Sequence, residues 1–311
     1  MLVHIAGAGA AGTAVGRAAR LAGHLIGLVA CRTTSRATAR CELIGGGSPT
    51  TLDALCGDPD GEASLLIVSV PDRAIAETAA ALASRPWPPG SVALHLSGSA
   101  PVEDLAPLRT AGFDLGSLHP LKSFVDSEGQ GGTQGGTLGG TGADTPSAAP
   151  PLSGIVCALE GDAQALSLAQ QLAADCHARP FVLKPGGRDA WHAGAAHAAN
   201  HLVALVDQAL DLFERAGLDR ETGRAALLPL LWGTVDNLAK HPPGRALTGP
   251  VVRGDADVVA RHMEALSGVS PDVKSAYRAL AARALDLART ERDLDETLAA
   301  RIDAALNGGQ A

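Results

Sequence analysis

The stretch "LVHIAGAGAAGTAVG", residues 2–16, decides the fold. A short apolar run ends in Gly7, Gly9 and Gly12, and a helical pattern follows the glycines at once. The first glycine permits a tight turn, the second lets the backbone approach a pyrophosphate, and the third lets helix and strand pack closely. The helix N-terminus then presents free N–H groups to the anion. The pattern predicts a dinucleotide-binding loop formed by these glycines with Ala10 and Ala11.

Strand and helix patterns continue to alternate after this loop through about the first 185 residues. Four further runs have the character of buried strands: "HLIGLVA" (24–30), "SLLIVSVPD" (64–72), "SVALHLSGS" (91–99) and "FDLGSLHP" (113–120). Buried strands that alternate with helices are typical of a parallel sheet covered on both faces. We therefore expect a Rossmann-type, doubly wound α/β domain over residues 1–185, with the Gly-rich residues 126–151 as a flexible insert.

The rest of the chain, residues 186–311, shows helical patterns without a further convincing strand. "SPDVKSAYRALAARALDLART" (270–290) is one clear helix, because Ser270 stands in the N-cap position and Pro271 at the first helical position. An all-helical second domain is therefore expected over residues 186–311.

Composition and charge exclude several classes of protein. The net charge is -8 over 311 residues, whereas nucleic-acid binding requires a basic surface. No apolar run is long enough to span a membrane, and the first residues fit a strand and a loop better than a signal peptide. The five cysteines show no CxxC spacing, so we expect reduced thiols in a cytoplasmic protein.

The residues that follow the second strand bear on the choice of nucleotide. An NAD site usually carries Asp or Glu about 20 residues beyond the glycines. In this chain no acid appears after that strand until Glu42. Arg32, Ser35 and Arg36 would instead hold a 2′-phosphate, which a carboxylate would repel. The sequence therefore favours NADP over NAD as the cofactor.

The ends of the next two strands supply further candidates for the cofactor site. Ligands bind at the carboxyl ends of the strands in doubly wound sheets. "SVPD" ends one strand and "HLSGS" the next, which places Val70, Pro71 and Ser97 at that edge. For Asp72, a role as cap of the following helix is favoured over a catalytic one.

"SLHPLKSF" (117–124) brings His119, Lys122 and Ser123 to the same edge one strand later. A lysine charge and a serine hydroxyl suit a substrate that carries a carboxylate and a carbonyl group. The alternatives are a structural His119, bonded to a loop carbonyl, and a Lys122 that is only a solvated surface charge.

The helix "AWHAGAAHAANHL" (190–202) places three histidines and an asparagine among small residues. Its apolar face is formed by Leu202, Val203, Leu205 and Val206. His192 and Asn200 lie on or beside that face, so we expect them in the interior or the domain cleft, as site residues or as satisfied core groups. His197 and His201 fall on the far side. Their spacing lacks the glutamate of a zinc helix, so no metal site is predicted.

A polar loop, "LTGPVVRGD" (247–255), is predicted further along the chain, where helical character is weak after Lys240. Two roles stand open for Arg253 in this loop. It binds a substrate carboxylate, or it pairs with Asp255 to cap the next helix.

Together these motifs resemble a bacterial family with a Rossmann-like domain and a C-terminal helical domain of unknown function. The stretches that carry the resemblance are "GAGAAGTAVG", "VPD", "HLSG", "HPLKSF", "WHAGAAHAAN" and "LTGPVVRGD". It implies membership of the group that includes 6-phosphogluconate dehydrogenase, ketopantoate reductase and pyrroline-5-carboxylate reductase. Enzymes of that group hold the nicotinamide between two domains and usually form dimers through the helical one.

The sequence departs from the hydroxyacid branch of that group at one position. There, a lysine stands four residues before an asparagine, whereas here Ala196 precedes Asn200. His192 or Lys122 would then supply the proton, with Asn200 orienting the carbonyl group.

The favoured function is the NADPH-dependent reduction of a small, ketopantoate-like 2-oxo acid in the domain cleft. Three alternatives stay open: an imine reductase of the pyrroline-5-carboxylate reductase type, a non-catalytic NADPH sensor, and a deazaflavin coenzyme as the electron donor. The residues assigned to the substrate are His119, Ser123 and Arg253.

Overall fold

A computed structural model describes residues 1–124 and 150–308 of the chain. The described residues form two compact units, one of residues 1–200 and one that begins at His201. Except for its last two residues, the expected insert over 126–151 lies outside the described part of the chain. The expected boundary near residue 185 stays a prediction.

The first unit is built on one eight-stranded sheet. Its strands are β1 (Leu2–Ala6), β2 (Leu25–Cys31), β3 (Ser48–Thr51), β4 (Leu65–Val68), β5 (Val92–His95), β6 (Asp114–Pro120), β7 (Val156–Gly161) and β8 (Arg179–Val182). They lie in the order β3-β2-β1-β4-β5-β6-β7-β8. The first six strands follow the order of the dinucleotide-binding fold, in which the topological switch point lies between β1 and β4. The doubly wound α/β class is therefore confirmed.

All strand pairs are parallel except β6 with β7, which is antiparallel. The pairing places Pro120, at the end of β6, opposite Cys157, near the start of β7. The chain therefore re-enters the sheet beside the carboxyl end of β6, where it left. The sequence pattern also gave no sign of β3. That strand is a short edge strand with the sequence SPTT, and edge positions tolerate proline.

Helices cover both faces of the sheet. These are α1 (Ala10–Leu21), α2 (Thr34–Ile44), α3 (Ile75–Ala83) and α4 (Ala163–Asp175), with 3₁₀ segments at Asp72–Ala74 and Val102–Ala111. One buried cluster contains Val15 of α1 and Leu172 of α4, and the other contains Ile75 and Leu82 of α3. Because both faces are covered, central strands such as β4 are buried at every position.

The remaining helices begin at the end of the sheet and continue to the C-terminus. They are α5 (Arg188–Arg215), α6 (Arg220–Lys240), α7 (Pro243–Ala246), α8 (Pro250–Arg253), α9 (Ala256–Ala265), α10 (Pro271–Glu291) and α11 (Glu296–Leu306). In the second unit, α9, α10 and α11 enclose a core that includes Val259, Leu285 and Ile302. Over the described residues no helix combines the length and apolar character that crossing a membrane requires.

Two expectations about this helical region are wrong. The stretch 247–255 is not a loop throughout, because residues Pro250–Arg253 form the short helix α8, with proline at its start. The apolar face expected to be buried on α5 is exposed, with Val203 at 70% of its full accessibility. Helical periodicity identified that face correctly, but it does not specify what covers it.

Candidate functional site

The glycine loop joins β1 to α1 at the centre of the sheet. Gly7 has φ +87°, and a Cβ atom there would lie 2.6 Å from Val70 Cγ1. A Cβ atom on Gly12 would lie 2.9 Å from both the Gly7 carbonyl oxygen and Ser69 Oγ. These two glycines are therefore required by the fold itself. They bring the N-terminus of α1 against the end of β4, at the switch point of the sheet.

Gly9 differs from its two neighbours. Its φ of -73° is open to any residue, and a Cβ atom there would meet no atom of the described chain within 4 Å. Neither backbone conformation nor internal packing explains a glycine at this position. The open space lies at the N-cap of α1, followed by Ala10 and Ala11, whose small side chains leave the helix N-terminus uncovered. An anion bound at the N–H groups of that helix would fill the space.

The second anion position predicted from the sequence lies at the start of α2. Thr33 caps this helix by accepting a hydrogen bond from the Arg36 backbone N–H, and the first turn contains no acidic residue. The Thr33 hydroxyl lies 3.3 Å from Ser35 Oγ, and Arg32 is exposed directly after β2. The structure therefore brings Arg32, Ser35 and Arg36 together around one helix N-terminus, with no carboxylate in its first turn.

The ends of β4 and β5 are joined by side chains. Ser97 Oγ accepts hydrogen bonds from the backbone N–H groups of Ser99 and Ala100, which fixes the turn after β5. The Ser99 hydroxyl donates to Asp72 Oδ2 at 2.5 Å. The Asp72 side chain caps no helix, contrary to expectation, because its carboxylate is engaged with the neighbouring strand end. Pro71, at the N-cap of the 3₁₀ turn, is exposed at this edge.

His119 and His192 meet above Gly98. Their ring centroids lie 6.4 Å apart at an interplanar angle of 70°. A Cβ atom on Gly98 would lie 2.8 Å from His119 Nε2 and 2.8 Å from His192 Nδ1. Only glycine gives both imidazoles room at this point. The turn after β5, the end of β6 and the second turn of α5 therefore place two proton-carrying groups side by side.

Hydrogen bonding fixes the orientation of the His119 ring. Its Nδ1 lies 3.1 Å from the Leu96 carbonyl oxygen, so Nδ1 is the atom that donates a proton. Nε2 is then the acceptor of the neutral ring. Burial lowers the pKa of His119 below its ordinary value, with the neighbouring His192 and Arg188 contributing in the same direction, whereas the bond to Leu96 opposes the shift.

His95 is a second neutral imidazole behind this pair. It is fully buried at the end of β5, and neither ring nitrogen has a hydrogen-bond partner among the described residues. Burial first, and then the charge of Arg188, lowers the pKa of His95 to about 3. The ring is therefore uncharged at neutral pH.

Arg188 is a buried residue of this region that the sequence analysis did not single out. Its guanidinium donates to Ser117 Oγ at 2.6 Å and to the Ser97 carbonyl oxygen at 3.2 Å, and it pairs with Glu160 at 2.5 Å. These partners lie 28 to 91 positions from Arg188 along the chain, so no local motif connects them.

Other predicted site residues stand apart from the histidine pair. Lys122 Nζ donates to the Pro151 carbonyl oxygen at 3.3 Å and lies 5.9 Å from the Phe124 ring centre. Ser123 and Asn200 are exposed, and Asn200 lies two helical turns beyond His192 on α5. Arg253 belongs to the second unit and pairs with Asp255 at 2.8 Å. Asp255 holds the N-cap position of α9, but its side chain makes no capping hydrogen bond.

Two family models match the chain. Residues 1–120 match a Rossmann-like domain, and residues 155–284 match a domain of unknown function, DUF2520. This confirms the resemblance that the sequence motifs indicated. The DUF2520 match begins just before β7. It therefore includes the last two strands of the sheet, β7 and β8, with α4 between them, as well as helices of the second unit.

Solved structures share the fold over nearly the whole chain. Protein TM1727 from Thermotoga maritima is 24% identical, with 94% of this chain and 100% of that chain covered at a TM-score of 0.70. A putative NADP oxidoreductase, BF3122 from Bacteroides fragilis, is 20% identical over 91% and 97% of the two chains at a TM-score of 0.66. A 1-pyrroline-5-carboxylate reductase from Streptococcus pyogenes is 13% identical over 99% and 97%, at a TM-score of 0.53. No curated protein matches the sequence.

Proposed function

We propose that the protein is an NADPH-dependent oxidoreductase. The observation that carries this proposal is Gly9, a glycine that neither backbone conformation nor packing requires, at the N-cap of the helix at the switch point of the sheet. A bound pyrophosphate would explain why residue 9 is glycine, because a side chain there would occupy the space of the phosphate oxygens. The fold shared with a putative NADP oxidoreductase supports the same conclusion.

The described residues fit such a dinucleotide along its whole length. Gly7, Gly9 and Gly12 with Ala10 and Ala11 would hold the pyrophosphate. The group Arg32, Ser35 and Arg36 would hold the 2′-phosphate, since arginine forks suit phosphate. Val70, Pro71 and Ser97 would border the nicotinamide at the ends of β4 and β5. When bound, the cofactor supplies a hydride to an electrophilic carbon.

The imidazole pair supplies the proton chemistry. His119 is held neutral and donates through Nδ1 to Leu96, so its Nε2 is an acceptor, and the exposed His192 ring lies beside it. His192 Nδ1 would give a proton to the oxygen or nitrogen atom that gains charge during reduction. Lys122 is the other candidate donor, but its contacts lie with Pro151 and Phe124.

The substrate we favour is a small 2-oxo acid. In this assignment Lys122 or Arg253 holds the carboxylate, Ser123 donates a hydrogen bond to the substrate, and Asn200 orients the carbonyl group. A cyclic imine that carries a carboxylate is the second candidate, because its reduction needs the same proton donor. The fold shared with 1-pyrroline-5-carboxylate reductase supports keeping both candidates.

A second copy of the chain is the expected protein partner. The 21-residue helix α6 buries only Gly223 and Leu227 within the described chain. Large apolar side chains on α6, among them Leu230 and Trp232, are exposed, as is Val203 on α5. Exposed apolar surface of this extent marks an interface between proteins. A homodimer formed through α5 and α6 would cover this apolar surface.

The expected location of the enzyme is the cytoplasm, where the five free cysteines would stay reduced.

Turnover measured against a substrate panel tests the proposal. NADPH oxidation is followed with a series of 2-oxo acids and cyclic imino acids, for the wild type and for His192→Asn. The wild type should turn over one panel member, and His192→Asn should lose roughly 10²- to 10⁴-fold in kcat. His197→Asn, on the same helix, is the matched control. Tight NADPH binding without any turnover would favour a sensor, and absence of NADPH binding would overturn the proposal.

A further inference from the structure

A row of polar residues crosses the sheet next to the imidazole pair. The strand registers place His95 of β5 beside Ser117 of β6, and Ser117 beside Glu160 of β7. His95 and Ser117 are fully buried, and Glu160 is largely buried. Buried polar groups require partners. His95 has none among the described residues, so Ser117 and Glu160 are the members of the row that a group from another element can satisfy.

Arg188 lies across this row. It is the first residue of α5, it is 8% exposed, and it binds both Ser117 and Glu160 as well as the Ser97 carbonyl oxygen. A cation is unfavourable at a helix N-terminus, because the helix dipole is positive there. The position of Arg188 is therefore explained by its sheet partners, which fasten the first turn of α5 to β6, to β7 and to the turn after β5.

The same contacts determine where the two histidines stand. His192 follows Arg188 by four residues, so both side chains leave the same side of α5. His119 follows Ser117 by two residues, so both point to the same face of β6. Gly98 follows directly on Ser97, whose carbonyl oxygen Arg188 binds. Arg188 thus belongs to the helix of His192 and binds the other two elements that meet at the imidazole pair, one residue from Gly98 and two residues from His119.

We propose that Arg188 is a positioning residue, which holds the first turn of α5 on the sheet so that His192 stands against His119 above Gly98. The expected effect of Arg188 on turnover rests on the proposed function. The placement of the rings is measurable without any activity. Arg188 joins the middle of β6, the turn that contains Gly98 and the helix of His192.

Arg188→Lys tests this role, because it keeps the charge but removes the planar fork that serves three partners. The readout is the set of histidine-ring NMR signals of the complete protein, assigned with His119→Asn and His192→Asn. The signals of His119 and His192 should shift, while those of His262 in the second unit stay in place. With an active substrate, kcat should fall roughly 10- to 100-fold, as expected for a misplaced reacting group, and KM for NADPH should change less than about 2-fold.

Two further variants keep the test decisive. Arg109→Lys alters a different ion pair, which joins the 3₁₀ segment Val102–Ala111 to Asp162 at the N-cap of α4 at 2.6 Å, and should leave both histidine signals and kcat unchanged. Ser117→Ala removes one partner of Arg188 and should shift the same two signals by a smaller amount. Ser117→Ala also provides the test if Arg188→Lys does not fold. Unshifted His119 and His192 signals in both variants would overturn the positioning role. Shifted signals without any turnover in the wild type would support it and contradict only the proposed function.

Discussion

His119 and His192 approach each other edge to face, with their ring centroids 6.4 Å apart, and a Cβ atom on Gly98 would lie 2.8 Å from each ring. The two residues lie 73 positions apart in the chain, one on the last strand before the undescribed segment and one on α5. Their proximity depends on a missing side chain at Gly98 and on the contacts of Arg188. This relationship leads to the first prediction.

Gly98→Ala should disable the site without unfolding the protein. The new Cβ would lie 2.8 Å from both rings. The exposed His192 ring can move aside, but the half-buried His119 ring is held by its bond to Leu96, so part of the overpacking remains. We expect stability to fall by about 1–3 kcal/mol, and kcat to fall roughly 10-fold or more. Gly46→Ala, whose Cβ meets only the flexible end of Arg20, is the control. Wild-type kcat in Gly98→Ala would argue against a functional pair.

Gly9→Ala should weaken NADPH binding without loss of stability, whereas Gly12→Ala should destabilise the fold. A Cβ on Gly9 meets nothing within 4 Å, so we expect unchanged unfolding, within about 0.5 kcal/mol. NADPH affinity should fall at least roughly 10-fold, because the methyl group enters the pyrophosphate space. A Cβ on Gly12 meets Gly7 and Ser69 at 2.9 Å, and the overpacking should cost about 1–3 kcal/mol. Calorimetric titration and thermal unfolding measure the two effects, and undiminished NADPH affinity in Gly9→Ala would contradict the account.

Arg32→Ala should reduce the preference for NADPH over NADH. Arg32 is exposed beside a helix N-terminus without acidic residues, where it would meet the 2′-phosphate. Loss of a charged phosphate contact costs about 1.5–3 kcal/mol, so the Kd for NADPH should rise roughly 10-fold or more, with the Kd for NADH little changed. Arg179→Ala, an exposed arginine on the edge strand β8, should affect neither nucleotide. An equal loss for both nucleotides would assign Arg32 to a different part of the cofactor.

His95→Leu should make the protein less sensitive to acid. The His95 pKa is about 3 in the folded chain against an ordinary value of 6.5, so unfolding takes up a proton between these pH values. Stability conferred by the neutral ring is present above pH 6.5 and is lost as the pH falls toward 3. At pH 5 this loss is about 2 kcal/mol, and His95→Leu should abolish it. Denaturant unfolding at pH 7.5 and pH 5 measures the difference. An unaltered pH dependence in the variant would contradict the assignment.

Trp232→Glu should dissociate the expected dimer. Trp232 is 61% exposed on α6, a helix that buries little within its own chain. A charge in a contact of this kind is costly when it is desolvated, so the sedimentation coefficient should fall to that of a monomer. Leu280→Glu, on an exposed position of α10, is the control for introducing an acidic residue. A wild type that sediments as a monomer would show that α6 serves another purpose.

Local sequence determined how much of this site was predictable. The loop of Gly7, Gly9 and Gly12 could be recognised because its three roles follow from spacing within six residues. The strand ends that carry Ser97 and His119 followed from apolar runs and from the rule that ligands bind at the carboxyl edge. Helical periodicity alone indicates His192 as a candidate site residue, but it does not predict the contact of His192 with His119.

The remainder depended on contacts that sequence spacing does not show. Arg188 acts through Ser117 and Glu160, which only the strand registers bring together. The antiparallel direction of β7 and the short edge strand β3 carry no distinctive pattern of their own. The apolar face of α5 was correctly located but wrongly expected to be buried, since periodicity does not reveal whether the same chain or a second copy covers it.

Calorimetric titration of the purified wild type with NADPH and with NADH tests the central claim most directly. We predict one site per chain, tighter binding of NADPH than of NADH, and an NADPH affinity at least roughly 10-fold lower in Gly9→Ala, while that variant unfolds like the wild type. No binding of either nucleotide to the folded wild type would contradict the role assigned to the glycine loop, and a deazaflavin coenzyme would then be titrated in their place.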